Sequence, residues 1–376
     1  MFHVEPFDSR IWTCSTWNLT MDLMHPDTKA IHAGRPVDTS TGALTPPIHL
    51  STTFERTADA KYPLGYEYSR EQNPNRKALE QCLAELENGK QALCFASGMA
   101  VCNAVLQSLE PGDHVVLADD TYWGLRKLAT LHRHLKFSLV DLTNLGALDA
   151  AIMPETRLIW AESPSNPLMK VTDLPAIARI ARARNVMTVC DSTFATPIYQ
   201  RPLEHDIDLV MHSTTKYIGG HSDLTGGALI ARHDSYLFER CRELQTYGGA
   251  VPSPFDCWLT LRGVSTLPVR ARQITASAIR IVEFLRAHPR VEKVNYPGYS
   301  GMLSLLVRGG KPEALAVTAG VKVFTRATSL GGTHSLIEHR ASVEGANTKT
   351  PQNLLRISIG LEHVDDLIAD LRSALG

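Results

Sequence analysis

Short apolar, strand-like runs alternate with segments of helical period through the middle of this chain, and this alternation restricts the possible folds more than any other feature. The alternation favours a mainly parallel β-sheet covered by helices on both faces. We therefore predict an α/β fold in which functional side chains lie at the carboxyl ends of the strands. Strands are predicted at residues 92–96, 114–119, 137–141, 157–162, 186–190, 207–212 and 226–230.

The pattern changes near residue 250. A long helical region is predicted at 256–287, with a bend near Pro268, and short strands follow before a closing helix at 364–375. This mixture is typical of a smaller α+β domain. We predict three parts in total: an irregular N-terminal segment at 1–50, a large α/β domain at 51–250 and a C-terminal α+β domain at 251–376.

The bulk composition gives no sign of a nucleic-acid or membrane partner. The 38 Lys and Arg residues nearly balance the 39 Asp and Glu residues, for a net charge of -1. No run approaches the roughly 18 apolar residues that a spanning helix needs, and the first twenty residues do not resemble a secretory signal. Seven cysteines without a CxxC pair favour reduced thiols. We therefore predict a cytoplasmic protein.

One lysine stands directly after a predicted buried strand. Ser213, Thr215 and Lys216 follow the strand at 207–212, and two glycines come next. Burial disfavours the charged form of a lysine and lowers its pKa, which makes the amine a nucleophile able to form a Schiff base. The two hydroxyls are suited to holding an anion nearby. Taken alone, the segment is also compatible with an ordinary surface turn.

An aspartate at the end of the preceding predicted strand makes the lysine more informative. Asp191 follows the strand at 186–190. An acid here and a lysine after the next strand meet the needs of pyridoxal phosphate (PLP): the carboxylate pairs with the protonated pyridine nitrogen, and the lysine carries the aldehyde as an imine. The pair therefore predicts a PLP site.

A predicted helix start offers a place for the cofactor's phosphate. Ser97, Gly98 and Met99 lie between the strand at 92–96 and the helix that follows. Free backbone N–H groups and the helix dipole stabilise a phosphate at such a position. An ordinary glycine-containing turn is the alternative, and the presence of Asp191 and Lys216 favours phosphate binding.

The motifs together resemble those of a known enzyme family. Asp-Ser-Thr-Phe from Asp191, followed by His-Ser-Thr-Thr-Lys-Tyr-Ile-Gly-Gly-His-Ser-Asp from His212, is similar to the Cys/Met-metabolism (trans-sulfuration) family of PLP enzymes. That family includes cystathionine γ-synthases, cystathionine γ-lyases, cystathionine β-lyases and methionine γ-lyases. The resemblance runs from about Thr28 to the end of the chain. It implies a fold-type I architecture, an extended arm within 1–50, and a homotetramer whose active sites are shared between subunits.

The resemblance also assigns roles in binding the cofactor. Lys216 is the expected Schiff-base lysine and the base for the Cα proton, and Tyr122 the expected ring-stacking and catalytic tyrosine. Tyr68 and Arg70 are expected to reach the phosphate of a neighbouring subunit. The alternatives for Tyr122 and Asn166 are a half-buried tyrosine and simple turn chemistry. The remaining cofactor-binding residues that the resemblance implies are Asp191, Ser213, Thr215, Gly98, Met99, Asn166 and Thr193.

Three further residues are expected to bind the amino-acid substrate. Arg356 interrupts an apolar strand, and a buried arginine needs a partner such as a substrate carboxylate or a structural acid. Ser329 matches a serine of the family's substrate cavity. His334 stands where the γ-acting enzymes that handle cystathionine usually carry glutamate. No metal site is predicted, since the histidines lack ligand spacing. No nicotinamide site is predicted either, since no GxGxxG follows a strand.

The sequence favours a γ-acting enzyme, by elimination or replacement, because Ser329-Leu330-Gly331-Gly332 resembles those members. A β-lyase acting on cystathionine or cystine remains open, as does a non-catalytic protein that kept the fold. Some segments depart from the family pattern and leave the side-chain pocket open, including whether the substrate is cystathionine or an O-substituted homoserine. These segments are Trp123-Gly124, residues 339–345 and residues 296–302.

Overall fold

The computed structural model describes residues 24–345 and 348–376, and two β-sheets organise them. The first sheet has the order β1-β7-β6-β5-β4-β2-β3. Neighbours from β3 to β6 run parallel, and β7 is antiparallel to both β1 and β6. Its strands are β1 (Gln91–Phe95), β2 (His114–Ala118), β3 (Lys136–Val140), β4 (Thr156–Glu162), β5 (Met187–Asp191), β6 (Leu209–His212) and β7 (Gly227–Ala231).

Helices connect these strands and carry the expected end signals. Asn73 caps the second helix by accepting a hydrogen bond from the N–H of Asn75, and Pro74 occupies its first turn, where its missing N–H costs nothing. The helices are α1 (Pro26–His32), α2 (Pro74–Leu86), α3 (Gly98–Gln107), α4 (Trp123–Ala129), α5 (Leu145–Ala151), α6 (Leu174–Ala183), α7 (Thr196–Tyr199) and α8 (Tyr236–Gly248), with a 3₁₀ turn at Pro202–His205. The mainly parallel α/β arrangement predicted from the sequence is confirmed.

Two predicted helices differ from those observed. The helical period of residues 123–135 predicts one helix there, but the observed helix ends at Ala129, because the next residues form turns that expose Leu131 and bury Leu135. The long helix predicted at 256–287 is two helices, α9 (Pro254–Val264) and α10 (Leu267–Ala287). Pro268 lies in the first turn of α10, the helical position that proline tolerates, rather than at a bend.

The second sheet has five strands in the order β10-β11-β12-β9-β8. Only β10 and β11 pair in parallel. Strand β11 was not predicted, since half of its four residues are polar. The elements are β8 (Val291–Asn295), β9 (Met302–Val307), α11 (Lys311–Gly320), β10 (Thr325–Arg326), β11 (Leu336–His339), α12 (Arg340–Glu344), β12 (Leu354–Ser358) and α13 (Val364–Leu375).

The hydrophobic core covers both faces of the first sheet and continues into the second. Helix α9, beyond the predicted boundary at residue 250, packs against α2; the three-part division stays a prediction, and residues 1–23 of its first part lie outside the described residues. Within the described residues, no helix combines the length and apolar character needed to cross a membrane. The two sheets meet at the carboxyl ends of β4, β5 and β6.

Candidate active site

A cavity of about 310 Å³ lies at these strand ends and is closed on its other side by residues that precede and follow β11. Most of the predicted site residues line it, although they come from distant parts of the chain. The predicted residues that the structure brings together here are Gly98, Met99, Tyr122, Asn166, Asp191, Thr193, Ser213, Thr215, Lys216, Ser329 and Arg356.

Lys216 lies in the turn after β6, with its side chain in the cavity. Its Nζ donates a hydrogen bond of 2.8 Å to Oγ of Ser329. Burial, reinforced by the positive charge of Arg356, lowers the pKa of Lys216 to about 8. A much larger fraction of the amine is therefore neutral near physiological pH than for an exposed lysine, as attack on an aldehyde requires.

Asp191 ends β5, and its Oδ1 accepts a hydrogen bond of 3.0 Å from the N–H of Thr193. Burial raises the pKa of Asp191, and the hydrogen bonds from Thr193 and the charge of His212 oppose that rise. No ion pair satisfies this carboxylate within the described residues. A partly buried acid that faces a cavity without an ion-pair partner suits the protonated pyridine nitrogen of PLP.

The start of α3 provides the predicted phosphate site. Ser97 caps the helix by accepting a hydrogen bond from the N–H of Ala100. At Gly98, an added Cβ would lie 3.0 Å from both Cβ of Ser213 and the terminal carbon of Met211, so a side chain there would crowd these neighbours. The hydroxyl of Thr215 bonds to the backbone of Gly226, which fixes it at the cavity wall. Helix start and hydroxyls thus fit a phosphate.

Tyr122 stands at the opening of the cavity, 39% exposed, at the start of α4. Its N–H donates a hydrogen bond of 2.6 Å to Oε2 of Glu162, which also accepts one of 2.7 Å from the hydroxyl of Thr121. Burial, and then the charge of Asp191, raises the pKa of Glu162 well above its usual range. Sequence reasoning missed Glu162, although its place at the end of β4, level with Asp191, was a usable signal.

Arg356 lies in the middle of β12 and is almost fully buried. Its Nη1 donates to Oδ1 of Asn166 at 3.0 Å, and its Nη2 donates to the carbonyl of Ser329 at 3.1 Å. Oε1 of Glu338 lies 2.5 Å from the same Nη2, so a structural acid accompanies the arginine. Burial lowers the pKa of Arg356 to about 10, with Glu338 opposing this effect and Arg340 adding to it. Arg340, which sequence reasoning also missed, lines the cavity.

Three predicted residues lie outside the cavity of this chain. Arg70 donates to the carbonyl of Thr246 and stands over the ring of Tyr68. The role of Arg70 and Tyr68 in the phosphate site of a neighbouring subunit stays a prediction. His334 is exposed, and the structure does not bring it to the cavity. Its neighbour Ser335 takes the buried position instead, where Glu362 accepts hydrogen bonds from its N–H and its hydroxyl.

The donor set fits PLP without a metal. Within 24–345 and 348–376, no group of three or more His, Cys, Asp or Glu residues is arranged to hold a metal ion. The cavity instead combines an amine of lowered pKa, a partly buried acid without an ion pair among these residues and a helix start at Gly98. These are the groups that hold the aldehyde, the pyridine nitrogen and the phosphate of this cofactor.

Comparison with known proteins agrees with this geometry. Residues 27–376 match the family model described as Cys/Met metabolism PLP-dependent enzyme. The chain is 43% identical to the cystathionine gamma-synthase of Mycobacterium tuberculosis (strain ATCC 25618 / H37Rv), with 93% of this chain and 97% of the relative covered. It is 40% identical to the cystathionine beta-lyase of Coxiella burnetii (strain RSA 493 / Nine Mile phase I), with 93% and 98% covered.

Solved structures show the same relationship. The crystal structure of metB from Corynebacterium glutamicum superposes with a TM-score of 0.92 at 38% identity, covering 94% of this chain and 98% of that one. The apo structure of CalE6, a methionine gamma lyase from Micromonospora echinospora, gives 0.89 at 38% identity, covering 94% and 99%. The chain thus belongs to the family of Cys/Met metabolism PLP-dependent enzymes.

Proposed function

We propose that this PLP-dependent enzyme eliminates or replaces the γ substituent of a sulfur-containing or O-substituted amino acid. The observation that carries the PLP-dependent amino-acid chemistry is the placement of the Lys216 amine, with its lowered pKa, in one cavity with Arg356. Relatives named cystathionine gamma-synthase in Mycobacterium tuberculosis and cystathionine gamma-lyase in Dictyostelium discoideum are each 43% identical to this chain and support the γ assignment.

Each residue has a defined task in the proposed reaction. PLP, when bound, supplies an electron-poor ring that stabilises negative charge at the substrate Cα. Asp191 holds the pyridine nitrogen, and Tyr122 covers the ring. Arg356 binds the α-carboxylate through its planar fork. The amine of Lys216 removes the Cα proton and then moves a proton at Cβ, the additional transfer that loss of a γ substituent requires.

A second candidate is β-elimination, which needs no proton transfer at Cβ. The Coxiella burnetii relative, named cystathionine beta-lyase, is 40% identical to this chain and favours it. The cavity residues serve both reactions, because the same amine removes the Cα proton in each. The products separate them: γ-elimination of L-cystathionine yields cysteine and 2-oxobutanoate, and β-elimination yields homocysteine and pyruvate.

The test is product analysis with the PLP-loaded enzyme. L-Cystathionine is supplied alone, and an O-acylated or O-phosphorylated homoserine is supplied with and without L-cysteine; oxo acids and amino acids are then identified by mass. The proposal expects 2-oxobutanoate, or a γ-substituted product when the thiol is present. Pyruvate from L-cystathionine as the only oxo acid would replace the proposal with β-elimination. Lys216→Ala, loaded in the same way, is the matched control without the proton-transferring amine.

The proposed enzyme works as a homotetramer of two dimers in the cytoplasm. Arg70 and Tyr68 contact no part of the cavity of their own chain, which supports their service to a neighbouring subunit. An arginine there would neutralise phosphate charge through a bidentate contact.

The cytoplasmic location is supported by free, buried thiols, as expected in a reducing compartment. These thiols belong to Cys82, Cys94, Cys102, Cys190, Cys241 and Cys257.

A further inference from the structure

Arg356 belongs to a buried group of charged side chains, here called the arginine–glutamate cluster and defined as Arg126, Glu338, Arg340, Glu344 and Arg356. Oε1 of Glu338 contacts Nη2 of Arg356 at 2.5 Å and Nη1 of Arg340 at 3.2 Å. Nε of Arg340 donates to Oε1 of Glu344 at 3.0 Å, and Nη2 of Arg126 lies 3.5 Å from Oε2 of Glu344. Arg340 therefore lies between the two carboxylates.

The cluster carries three positive and two negative charges, so one positive charge is left for a ligand. Both carboxylates are almost completely buried, which strengthens their electrostatic interactions with nearby charges. Glu344 has its own support, since the hydroxyls of Thr348 and Thr350 donate to its Oε2. Glu338, in contrast, has only the two guanidinium groups as partners within the described residues. Without Arg340, it would pair with Arg356 alone and neutralise it.

The geometry at Glu338 shows how the charge is divided. Its Oε1 serves both arginines, and its Oε2 has no hydrogen-bond partner among the described residues. A carboxylate that belonged to Arg356 alone would bind it through both oxygens, the fork-to-fork arrangement that guanidinium groups favour. That arrangement would occupy the donors that a substrate carboxylate needs. Arg340 lines the cavity and holds Glu338 to a single-oxygen contact.

We propose that Arg340 is a positioning residue that keeps Arg356 available to the α-carboxylate of the substrate, by sharing Glu338 with it. This inference rests on the proposed role of Arg356 in substrate binding. Arg340 lies within residues 339–345, one of the segments that depart from the family pattern. Its effect falls on carboxylate affinity, because Arg340 acts through Arg356 and performs no proton transfer.

The test compares two ligands that differ only in the carboxylate. The PLP-loaded enzyme is titrated with L-alanine and with L-alaninamide, and binding is followed by the absorbance of the bound cofactor. Arg340→Met removes one positive charge at similar length, and we expect the apparent Kd for L-alanine to rise about tenfold while that for L-alaninamide stays unchanged. Arg340→Lys keeps the charge but loses the fork that contacts both Glu338 and Glu344, so we expect it to raise the Kd for L-alanine less than Arg340→Met does.

Removing the opposite charge gives the complementary test. Glu338→Gln is expected to lower the Kd for L-alanine, and Glu338→Gln/Arg340→Met, which restores the net charge of the cluster, to return it toward the wild-type value. The proposal would be overturned if Arg340→Met changed the Kd for both ligands equally. It would also be overturned if the double variant bound L-alanine no more tightly than Arg340→Met does. If Arg340→Met loses the cofactor, Glu338→Gln decides alone: a Kd for L-alanine that does not fall overturns the inference.

The titration also separates this inference from the proposed reaction. Neither L-alanine nor L-alaninamide has a γ substituent, so binding is measured without elimination or replacement. A wild-type enzyme that binds L-alanine as expected but forms no γ product would defeat the proposed reaction and leave the role of Arg340 standing. A wild-type enzyme that binds both ligands equally would defeat the role of Arg356 and, with it, this inference.

Discussion

Nζ of Lys216 donates a 2.8 Å hydrogen bond to Oγ of Ser329, and this bond joins the first sheet to the segment between β10 and β11. Ser329 has a φ of 91°, in the left-handed region that a side chain rarely adopts. Its carbonyl accepts from Arg356 in the same turn. Ser329, whose backbone is strained, therefore positions both the amine of Lys216 and the guanidinium of Arg356.

The pKa of Lys216 predicts how the apoenzyme takes up its cofactor. Only the neutral amine attacks the aldehyde, so the rate of PLP incorporation should rise with pH around a midpoint near 8, the pKa that burial and then Arg356 impose. Arg356→Met removes a positive neighbour, favours the charged amine and should move the midpoint upward. The measurement is the initial rate of absorbance change between about pH 6.5 and pH 10. The exposed Arg272→Met is the control, and a midpoint unaffected by Arg356→Met would contradict the account.

Asp191 and Glu162 should respond differently to the same chemical change. They end adjacent parallel strands. Asp191→Asn removes the charge that we propose holds the pyridine nitrogen. We expect kcat to fall at least about a hundredfold, as when one preorganised electrostatic group is lost. Glu162→Gln should stay within about fivefold, since burial and then Asp191 raise the pKa of Glu162 well above its usual range and the amide oxygen can still accept both hydrogen bonds. Cofactor content is measured in both variants, and equal losses of kcat would show that this assignment of charge is wrong.

Substitution of Arg270, which does not line the cavity, should have a large effect on stability. It is buried and donates to the carbonyls of Tyr217 and Gly263, which fixes the segment after Lys216. Burial lowers its pKa to about 10. Arg270→Met leaves these carbonyls without their donor and should lower the free energy of unfolding by about 2–4 kcal/mol.

The matched control for that measurement lies two residues away. Arg272 is on the same helix, about half exposed (52%), and pairs with Asp27 at the surface. Arg272→Met should change the free energy of unfolding by no more than about 0.5 kcal/mol. Urea unfolding of both variants provides the comparison, and similar losses for the two would remove the special role of Arg270.

The proposed sharing of active sites between subunits predicts complementation between two inactive variants. Arg70→Ala should lack phosphate contacts in a neighbouring site, and Lys216→Ala lacks the amine of its own site. A co-expressed mixture contains dimers with one intact site, so it should recover up to about one quarter of wild-type activity. Each variant expressed alone is the control. A mixture that stays as inactive as its components would exclude the exchange of Arg70 between subunits.

The fold was largely predictable because its strands are continuous apolar runs. Strand β2, for example, is buried at every position, as expected for the interior of a parallel sheet. Strand β11 was not predictable in this way, since Glu338 and His339 are buried only because distant or flanking groups satisfy them: Arg340 donates to Glu338, and the ring of His339 hydrogen-bonds to the carbonyl of Gln352. The early end of helix α4 was also not predictable, because its helical period gave no sign of the turn after Ala129.

The site was predictable where the cofactor dictates the residue. Asp191 and Lys216 follow strands at the same sheet edge, and the structure places both at one cavity. Glu162 and Arg340 were missed because their importance depends on residues that are distant in the chain: Tyr122 donates to Glu162, and Arg356 shares Glu338 with Arg340. His334 was expected in the substrate site by position in a motif, whereas the side-chain direction depends on the buried bonds of Ser335.

The central claim is that Lys216 holds PLP covalently in this cavity. The most direct measurement is reduction of the loaded enzyme with sodium borohydride, followed by peptide mass mapping. The account predicts one pyridoxyl-modified peptide, carrying the modification on Lys216, and none in Lys216→Ala. Modification of another lysine in the wild type, or no modification after loading with excess PLP, would contradict it.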